Sequence, residues 1–150
     1  MRLPGVSPVR RSGSPVRQTG SMDGCPFCER IRDSASLFGE TEFAVAFPDG
    51  HPLSPGHTLV VPKRHVLRAE QLERAEWAGL FDLVREVARE LTTLSGVSGV
   101  NVGVNSGEAA GQTVAHAHVH VIPRRAGDVD DPRGGVRWVL PEKAEYWHSE

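Results

Sequence analysis

The chain has 150 residues, of which 39% are hydrophobic and 24% are charged, with a formal net charge of -2 at pH 7. These values are ordinary for a single soluble domain. No stretch approaches the roughly 20 apolar residues of a membrane helix, and the near-neutral balance argues against a general basic field for coating nucleic acid. We therefore expect neither a membrane nor a nucleic-acid partner.

Residues 1–21 differ in composition from the rest of the chain. They hold four arginines, no acidic residue, and many serines, prolines and glycines. Too few apolar side chains are present to offset the entropy cost of ordering, so the sequence predicts a disordered basic tail. Residues 22–150 carry 13 basic and 19 acidic side chains. We expect them to form one folded domain.

The two cysteines, Cys25 and Cys28, lie three positions apart. Two cysteines cannot build a disulfide framework, and this spacing suits a metal or redox site in a reducing compartment. The sequence thus favours a cytoplasmic location.

Apolar periodicity and turn residues predict a short helix, strands, one long helix and further strands. In chain order we predict a helix over 26–34, strands over 36–39, 41–47 and 57–62, a helix from Leu72 to Leu94 that stops near Gly96, strands over 101–104 and 113–122, and a short strand-like piece over 136–140. Strands on both sides of one long helix favour an α+β fold with an antiparallel sheet.

His116, His118 and His120 alternate with small apolar residues. On a strand the three imidazoles would share one face, because successive side chains point to opposite faces. Crowding and burial keep imidazoles neutral, and a neutral ring can act as a nucleophile or a metal ligand. The triad would span roughly 13 Å on a flat strand, too far for one ion. The histidines are therefore expected to divide their tasks, although a polar strand face, a tag or a metal-only site would also fit.

Gly111, Gln112 and Thr113 precede the histidines. A glycine lets the backbone approach a ligand, and the two polar side chains can donate hydrogen bonds to a developing anionic oxygen. The pattern is compatible with phosphate chemistry and, taken alone, also with an ordinary turn that leads into a strand.

The segment from Gly111 to Pro123, GQTVAHAHVHVIP, resembles the signature of the histidine triad (HIT) family. The similarity extends to residues 54–65 and to the CPFC segment, so it covers about residues 24–125. It places the chain with bacterial-type members, between the Fhit-like and Hint-like branches. It implies a five-stranded antiparallel sheet with a long helix and a short N-terminal helix, and a homodimer in which two sheets become continuous.

The resemblance also implies a mechanism. His118 would attack the α-phosphorus of an AMP-containing small molecule and form a nucleotidyl-histidine, which water then hydrolyses. His120, Gln112 and Thr113 would contact the phosphate oxygens. A histidine at position 120, where transferase branches usually have glutamine, points to the hydrolase branches. No organic cofactor is expected.

Further residues match nucleotide-binding positions of the family. Asp49 would accept hydrogen bonds from the ribose hydroxyls, Asn105 would lie near the ribose and phosphate, and His57 would support the triad. Phe27 and Phe47 would line the base pocket. The alternatives are a turn aspartate in Pro-Asp-Gly and two ordinary core aromatics.

Bacterial-type members also imply a structural zinc ion. The matching ligands would be Cys25, Cys28, His65 and His116. A closed set of four ligands leaves no open position for substrate, so the ion would stabilise the fold and leave catalysis to His118 and His120.

Several functions fit the resemblance. Dinucleoside polyphosphates are the favoured substrates, because residues 123–128 resemble the Fhit-like branch. Nucleoside phosphoramidates of the AMP-lysine type are the alternative, since the cysteine pair is commoner outside the animal Fhit type. A non-catalytic purine-nucleotide-binding protein and a zinc-only structural module remain further possibilities.

Overall fold

The computed structural model describes residues 23–147, so the predicted tail lies outside the described residues. The helices and strands are α1 (Pro26–Arg32), β1 (Gly39–Glu40), β2 (Ala44–Pro48), β3 (Thr58–Pro62), α2 (Arg74–Leu91), β4 (Val97–Gly103) and β5 (Val119–Arg125). None of the helices between residues 23 and 147 has the length and apolar character needed to span a bilayer.

The five strands form one antiparallel sheet in the order β1-β2-β3-β5-β4. Helix α2 follows β3 and leads to β4 at the sheet edge, and β5 then inserts between β3 and β4. The prediction of an α+β fold with a five-stranded antiparallel sheet, a long helix and a short N-terminal helix is confirmed.

One face of the sheet packs against α2. The apolar stripe of that helix, predicted from its periodicity, forms a buried cluster with alternate residues of β2, β3 and β5. The buried members are Ala44, Ala46, Val60, Leu80, Leu83, Val84, Val87, Leu91, Val119 and Val121. Removing these side chains from water stabilises the sheet and fixes which face of β5 points inward.

The opposite face of the sheet packs partly against α1 and partly borders an open cavity. Val45, Phe47, Leu59 and Val61 are buried there, with Phe27, Ile31 and Leu37 packed against them. His120 pairs with Leu59 across β5 and β3, so its side chain lies on this second face. Because side chains alternate along β5, one set faces the cavity and the other set packs against α2.

The prediction of a strand over 113–122 is wrong at its beginning, because β5 starts only at Val119. The chain bends before it: the His116 N–H donates to the Val114 carbonyl at 2.8 Å, and the Ala117 N–H donates to the Val66 carbonyl at 2.7 Å. In this segment these two hydrogen bonds take the place of the regular inter-strand hydrogen bonds that a strand would make. The strand instead continues through Pro123, which pairs with β4, and ends at Arg125.

The other element boundaries also shift. Helix α2 begins two residues later than predicted, after a capping box formed by Glu73 and Glu76. It ends at Leu91, before the predicted end at Leu94. The strand predicted over 36–39 is reduced to Gly39–Glu40, and the one over 101–104 lengthens to Val97–Gly103. The strand-like piece over 136–140 is wrong, because Gly135–Val139 forms a 3₁₀ helix.

Candidate functional site

A cavity of about 970 Å³ opens on the sheet face opposite α2. Side chains from α1, from the loop after β2 and from β5 line it, so three separate parts of the chain meet there. The lining polar and charged residues are Glu29, Arg30, Asp33, Asp49, His51, His57, Asn105, Thr113, His118 and His120, and Phe27, Phe47, Leu53 and Ile122 are among the apolar ones. Its size and mixed lining are typical of a small-molecule site.

His118 lies in the bend immediately before β5 and faces this cavity, although only 5% of it is exposed to solvent. Its Nδ1 is 2.8 Å from the His116 carbonyl oxygen. A carbonyl only accepts, so Nδ1 carries the proton and, in the neutral ring, Nε2 carries the lone pair. The Phe27 ring lies edge-on at 5.1 Å between centroids and holds the imidazole in place.

His57, on the neighbouring segment before β3, is connected to His120 by a chain of hydrogen bonds. The Leu53 N–H donates to His57 Nδ1 at 3.2 Å. In the neutral ring His57 Nε2 must then carry the proton, and it lies 3.0 Å from His120 Nδ1. His120 Nδ1 accepts that bond, so the N–H of His120 is on Nε2.

Burial lowers the pKa of both His57 and His120. The Asp49 carboxylate partly opposes this effect, because its Oδ2 is 3.4 Å from His57 Nε2 and 3.8 Å from His120 Nδ1. Neighbouring imidazoles lower the pKa of His120 further. The hydrogen-bonded chain is thus favoured in its uncharged form near neutral pH.

The same three side chains, Asp49, His57 and His120, place ligand-type atoms within 4.8 Å of one another. The contact with Leu53 argues against a metal site. An imidazole that accepts at Nδ1 has no lone pair left on Nε2 in its neutral form, and Nε2 is the atom that faces the other two side chains. This group is better described as a hydrogen-bond chain.

The predicted phosphate-contacting residues have different surroundings. Thr113 and Asn105 line the cavity with His118. The Gln112 amide does not: its Nε2 donates to the carbonyls of Leu67 at 2.7 Å and Val114 at 2.8 Å, and its Oε1 accepts from the Gly107 N–H at 2.7 Å. Gln112 therefore ties the loop together, and both its amide hydrogens and its carbonyl oxygen bond within the protein.

The predicted nucleotide-binding residues line the same cavity, next to the triad histidines. Phe27 and Phe47 form a tilted pair with 5.6 Å between ring centroids. Phe47 is also a core residue, with 2% exposure. Asp49 Oδ1 accepts from the His51 N–H at 2.7 Å, as in an Asx turn, while its carboxylate also borders the cavity. Both interpretations of Asp49, turn residue and cavity residue, are thus compatible with its position.

A second group of side chains lies behind the cavity. Cys25, Cys28, His65 and His116 are all buried, and their ligand atoms lie within 4.8 Å of one another. His116 is fully buried, so it does not share a solvent-facing surface with His118 and His120 as the strand prediction required. The bend over 114–117 turns its ring towards the cysteines.

The geometry of this group fits a tetrahedral zinc ion. His116 Nδ1 lies 3.5 Å from Cys25 Sγ and 3.6 Å from Cys28 Sγ, and His65 Nδ1 lies 3.3 Å from Cys28 Sγ. Bonds of about 2.3 Å to sulfur and about 2.0 Å to nitrogen would separate neighbouring ligand atoms by about 3.5 Å in a tetrahedron. The observed distances match this value.

The protonation pattern of His116 also suits a ligand. Its Nε2 donates to the Pro62 carbonyl at 2.9 Å, which leaves the lone pair on Nδ1, facing the cysteines. Burial lowers its pKa to about 4 and, with the Cys25 thiol, raises the pKa of Cys28 to about 11. Two buried thiols beside two buried imidazoles make a donor set that a divalent cation would stabilise.

Two features of the cavity were not found by sequence reasoning. The Leu53 backbone N–H orients His57, and Arg30 lies on the cavity wall. Leu53 gave no signal, since every residue type except proline supplies a backbone N–H. Arg30 could have been noticed from its place one turn into the helix that begins after Cys25, beside Phe27.

An antiparallel α+β sheet, a cavity containing a neutral imidazole and a buried Cys₂His₂ cluster define a protein of the histidine-triad class. The HIT domain model matches residues 32–127, more than half of the chain. The chain belongs to the HIT family.

Three relatives illustrate the range of similarity. A bis(5'-nucleosyl)-tetraphosphatase from Schizosaccharomyces pombe is 39% identical over 65% of this chain and 53% of its own length, so the chain spans about half of that protein. An adenylylsulfatase from Arabidopsis thaliana is 31% identical over 75% of this chain and 58% of its own length. The crystal structure of a zinc-bound histidine triad protein from Mycobacterium smegmatis has a TM-score of 0.65 and 35% identity, and covers 70% of this chain and 78% of its own.

Proposed function

We propose that the chain is a nucleotide hydrolase that cleaves at the α-phosphorus of an adenylyl group through a nucleotidyl-histidine intermediate on His118. The observation that carries this proposal is the bond from His118 Nδ1 to the His116 carbonyl. It leaves the lone pair of the other ring nitrogen on the side of a cavity with room for a nucleotide. The names of the related hydrolases support the same chemistry.

In the first step, the His118 Nε2 lone pair forms a bond to the α-phosphorus. The bond from phosphorus to the leaving-group oxygen breaks, and the leaving group departs with that electron pair. His120 assists, because its Nε2–H is free to donate to a phosphate oxygen while Nδ1 accepts from His57. Loss of one such donor commonly costs ~10²–10³ in rate.

In the second step, water attacks the same phosphorus. A new oxygen–phosphorus bond forms as the phosphorus–nitrogen bond breaks, and the electron pair returns to His118 Nε2. One proton of the water is released and AMP leaves. The two displacements each have a lower barrier than a single direct attack by water, which is the advantage of covalent catalysis.

The rest of the cavity positions the nucleotide. Asp49 accepts from the ribose hydroxyls, and Asn105 and Thr113 lie close to the ribose and phosphate. Phe27 and Phe47 provide the apolar wall for the base. This arrangement is supported by their common lining of the cavity with His118.

Dinucleoside polyphosphates are the substrates we favour. The similarity to the tetraphosphatase supports them, and their leaving groups are stable anions that need no proton on departure. Nucleoside phosphoramidates and adenylylsulfate are the competing substrates, the latter because of the similarity to an adenylylsulfatase.

Trapping the intermediate tests the proposal. Diadenosine tetraphosphate labelled in the adenosine is mixed with the protein and quenched rapidly, and the label should stay attached to wild-type protein but not to His118→Ala. Steady-state kcat/KM for the same compound, an adenosine phosphoramidate and adenylylsulfate then ranks the substrates. Turnover of all three by His118→Ala at the wild-type rate would contradict the assignment of the nucleophile. Tight AMP binding without turnover would indicate a nucleotide-binding protein instead.

We further propose that Cys25, Cys28, His65 and His116 bind a structural zinc ion. The matching S···N distances and the zinc-bound relative support this. The ion would attach α1, and with it Phe27, to the sheet, and it would supply folding free energy with no step of the reaction. Reduced thiols suit a reducing compartment such as the cytoplasm. Metal analysis of the purified protein should find one zinc per chain.

A homodimer with a continuous sheet is also proposed. Strand β4 lies at the edge of the sheet, and Val102 on it is 38% exposed. An unpaired edge strand is a ready surface for pairing with a second copy. Analytical ultracentrifugation should give twice the chain mass, and a Val102→Lys variant should shift the equilibrium towards monomer.

A further inference from the structure

Two residues connect the Cys₂His₂ cluster to the nucleotide cavity. His116 turns its imidazole towards the two cysteines, while its backbone carbonyl accepts the Nδ1–H of His118 at 2.8 Å. The Phe27 ring contacts both histidines, with 6.0 Å to the ring centroid of His116 and 5.1 Å to that of His118. A change in the cluster therefore reaches the cavity through one backbone group and one aromatic side chain.

Helix α1 depends on this cluster for its attachment. It has seven residues, and Cys28 is the only buried one among them. The Cys28 sulfur lies 3.3 Å from His65 Nδ1 and 3.6 Å from His116 Nδ1, so a metal ion bound there ties α1 to the segment after β3 and to the bend before β5. Phe27 is next to Cys28 on this helix, and release of the sulfur loosens the aromatic wall as well.

The two cysteines differ in their access to solvent. Cys25 borders a second, smaller surface cavity of about 310 Å³, and Cys28 does not line it. A small oxidant reaches the Cys25 sulfur through this cavity, although only 7% of the residue is exposed. They are the only cysteines in the chain, so each is the other's sole disulfide partner within one molecule.

The two sulfurs can hold a metal ion or form a disulfide, but not both. Both are free thiols, and the ligand atoms of the cluster lie within 4.8 Å of one another. Two sulfurs at about 2.3 Å from one zinc ion are about 3.8 Å apart, whereas a disulfide requires about 2.0 Å. Rotation about the Cα–Cβ bond of Cys25 covers this difference. Once joined, the sulfurs are no longer the thiolates that the ion needs.

The chemistry requires a peroxide as the co-reactant. The Cys25 thiolate attacks one peroxide oxygen, the O–O bond breaks, and hydroxide leaves behind a sulfenic acid. The Cys28 thiolate then attacks the Cys25 sulfur, so that the S–S bond forms, the S–O bond breaks and a second hydroxide leaves. Two protons from solvent convert both hydroxides to water. The two sulfurs lose two electrons in total, and the peroxide gains them.

We propose that Cys25 and Cys28 form a peroxide-responsive disulfide that releases the metal ion and weakens nucleotide binding in the cavity. The proposal rests on the proposed zinc site and, for its effect, on the proposed function. Loss of the ion frees α1 and the His116 ring, so Phe27 and His118 lose the arrangement that the cluster fixes. The cysteine pair thereby becomes a modification site that controls the neighbouring cavity.

Hydrogen peroxide treatment of the reduced, zinc-loaded full chain tests the proposal. The measured quantities are the zinc released to a chromophoric indicator, the mass and peptide map of the denatured chain, and the Kd of AMP by calorimetry. We expect zinc release, loss of two hydrogen atoms with a cross-link between Cys25 and Cys28, and AMP binding about tenfold weaker, the effect of losing one aromatic contact with a base. Dithiothreitol with added zinc should restore the affinity.

Cys25→His is the matched variant, because histidine preserves a fourth zinc ligand but leaves Cys28 without a partner. Compared with its own untreated sample, it should form no cross-link and release zinc more slowly than the wild type. Removal of zinc from the reduced wild type with a chelator separates the two steps, and it should weaken AMP binding as much as peroxide does.

Two results would overturn the proposal: zinc retained by the peroxide-treated wild type, or a disulfide that forms without any change in AMP affinity. In either case a trapped His118 adduct would still support the proposed function. Absence of AMP binding by the untreated, zinc-loaded protein would overturn both proposals.

Discussion

Two histidine groups lie next to each other in this molecule, and the backbone gives them opposite chemistry. In the buried Cys₂His₂ cluster, the Nε2–H of His116 donates to the Pro62 carbonyl, so the lone pair on Nδ1 faces the cysteines. In the cavity, His57 Nδ1 accepts from the Leu53 N–H, so a proton on Nε2 faces His120. The first arrangement directs a lone pair towards two thiols, and the second presents a chain of N–H donors.

His118 lies between His116 and His120 in sequence. It resembles His116 in that one ring nitrogen donates to a backbone carbonyl. The Nδ1–H of His118 donates to the His116 carbonyl, which leaves the lone pair of the neutral ring on Nε2. Since that nitrogen faces a cavity and not two thiols, the lone pair is available to an electrophile. The comparison shows that a histidine acquires its role from the backbone group that its second nitrogen meets.

The largest effect should come from His118, the proposed nucleophile. His118→Ala should lower kcat/KM for the best nucleotide substrate by at least about 10³-fold, because the covalent route is lost. Zinc content and the midpoint of thermal unfolding should stay at wild-type values, since His118 is outside the Cys₂His₂ cluster. Steady-state kinetics and metal analysis on the same preparation check both parts. Loss of zinc together with activity would show that the two groups are not separable.

The converse change disrupts the Cys₂His₂ cluster and leaves the cavity histidines unchanged. Cys28→Ala deletes the sulfur that lies 3.3 Å from His65 Nδ1 and 3.6 Å from His116 Nδ1. We expect less than a tenth of the wild-type zinc content and a Tm lower by about 10 °C or more, because the ion contributes folding free energy. Calorimetry with and without a chelator provides the measurement. A wild-type Tm that does not respond to the chelator would rule out structural zinc.

A smaller effect is expected from the hydrogen-bond chain. His57→Phe keeps a buried ring but removes the acceptor for Leu53 and the donor to His120. We expect kcat to fall about 10- to 100-fold, with KM changed less, because a partner that orients a catalytic group commonly contributes that much. Zinc content should be unchanged. If KM rose while kcat stayed constant, His57 would act in binding and not through His120.

The sequence predicted those parts of the fold that depend on local periodicity. The apolar stripe of α2 and the alternation of Val119, His120 and Val121 within β5 follow from periods of 3.6 and 2. Both are present in the structure, where Val119 and Val121 are fully buried against α2 and His120 lies on the cavity face.

The bend before β5 could not be predicted in the same way, because distant parts of the chain produce it. Ala117 bonds to Val66, and the amide of Gln112 bonds to Leu67, in a segment about 50 residues earlier. A run of alternating residues is indistinguishable from a strand until those partners are known. For this reason the alternation alone predicted His116 on the face shared by His118 and His120, and it gave no indication of the loop contacts of Gln112.

The residue types of the candidate site were available from the motif, but their protonation was not. Which nitrogen of His57 carries a proton depends on the Leu53 amide, and for His116 it depends on the Pro62 carbonyl. Nearly all residue types carry the same backbone N–H and C=O groups, so a sequence pattern cannot show which of these groups a histidine will meet. Only the folded arrangement distinguishes the Cys₂His₂ cluster from the donor chain.

The smallest predicted effect concerns the pH dependence of the donor chain. Burial lowers the pKa of His57 and His120, so both rings should stay neutral to lower pH than an ordinary histidine, and the acidic decline of kcat/KM should begin correspondingly lower. At lower pH, protonation of His120 Nδ1 removes the acceptor for His57 and activity should decline. The Asp49 carboxylate raises both pKa values, so Asp49→Asn should lower them and move the acidic decline to lower pH, whatever it does to ribose binding. Profiles of log kcat/KM against pH for both proteins measure the shift, and a decline that moves to higher pH in Asp49→Asn would contradict the electrostatic role of this carboxylate.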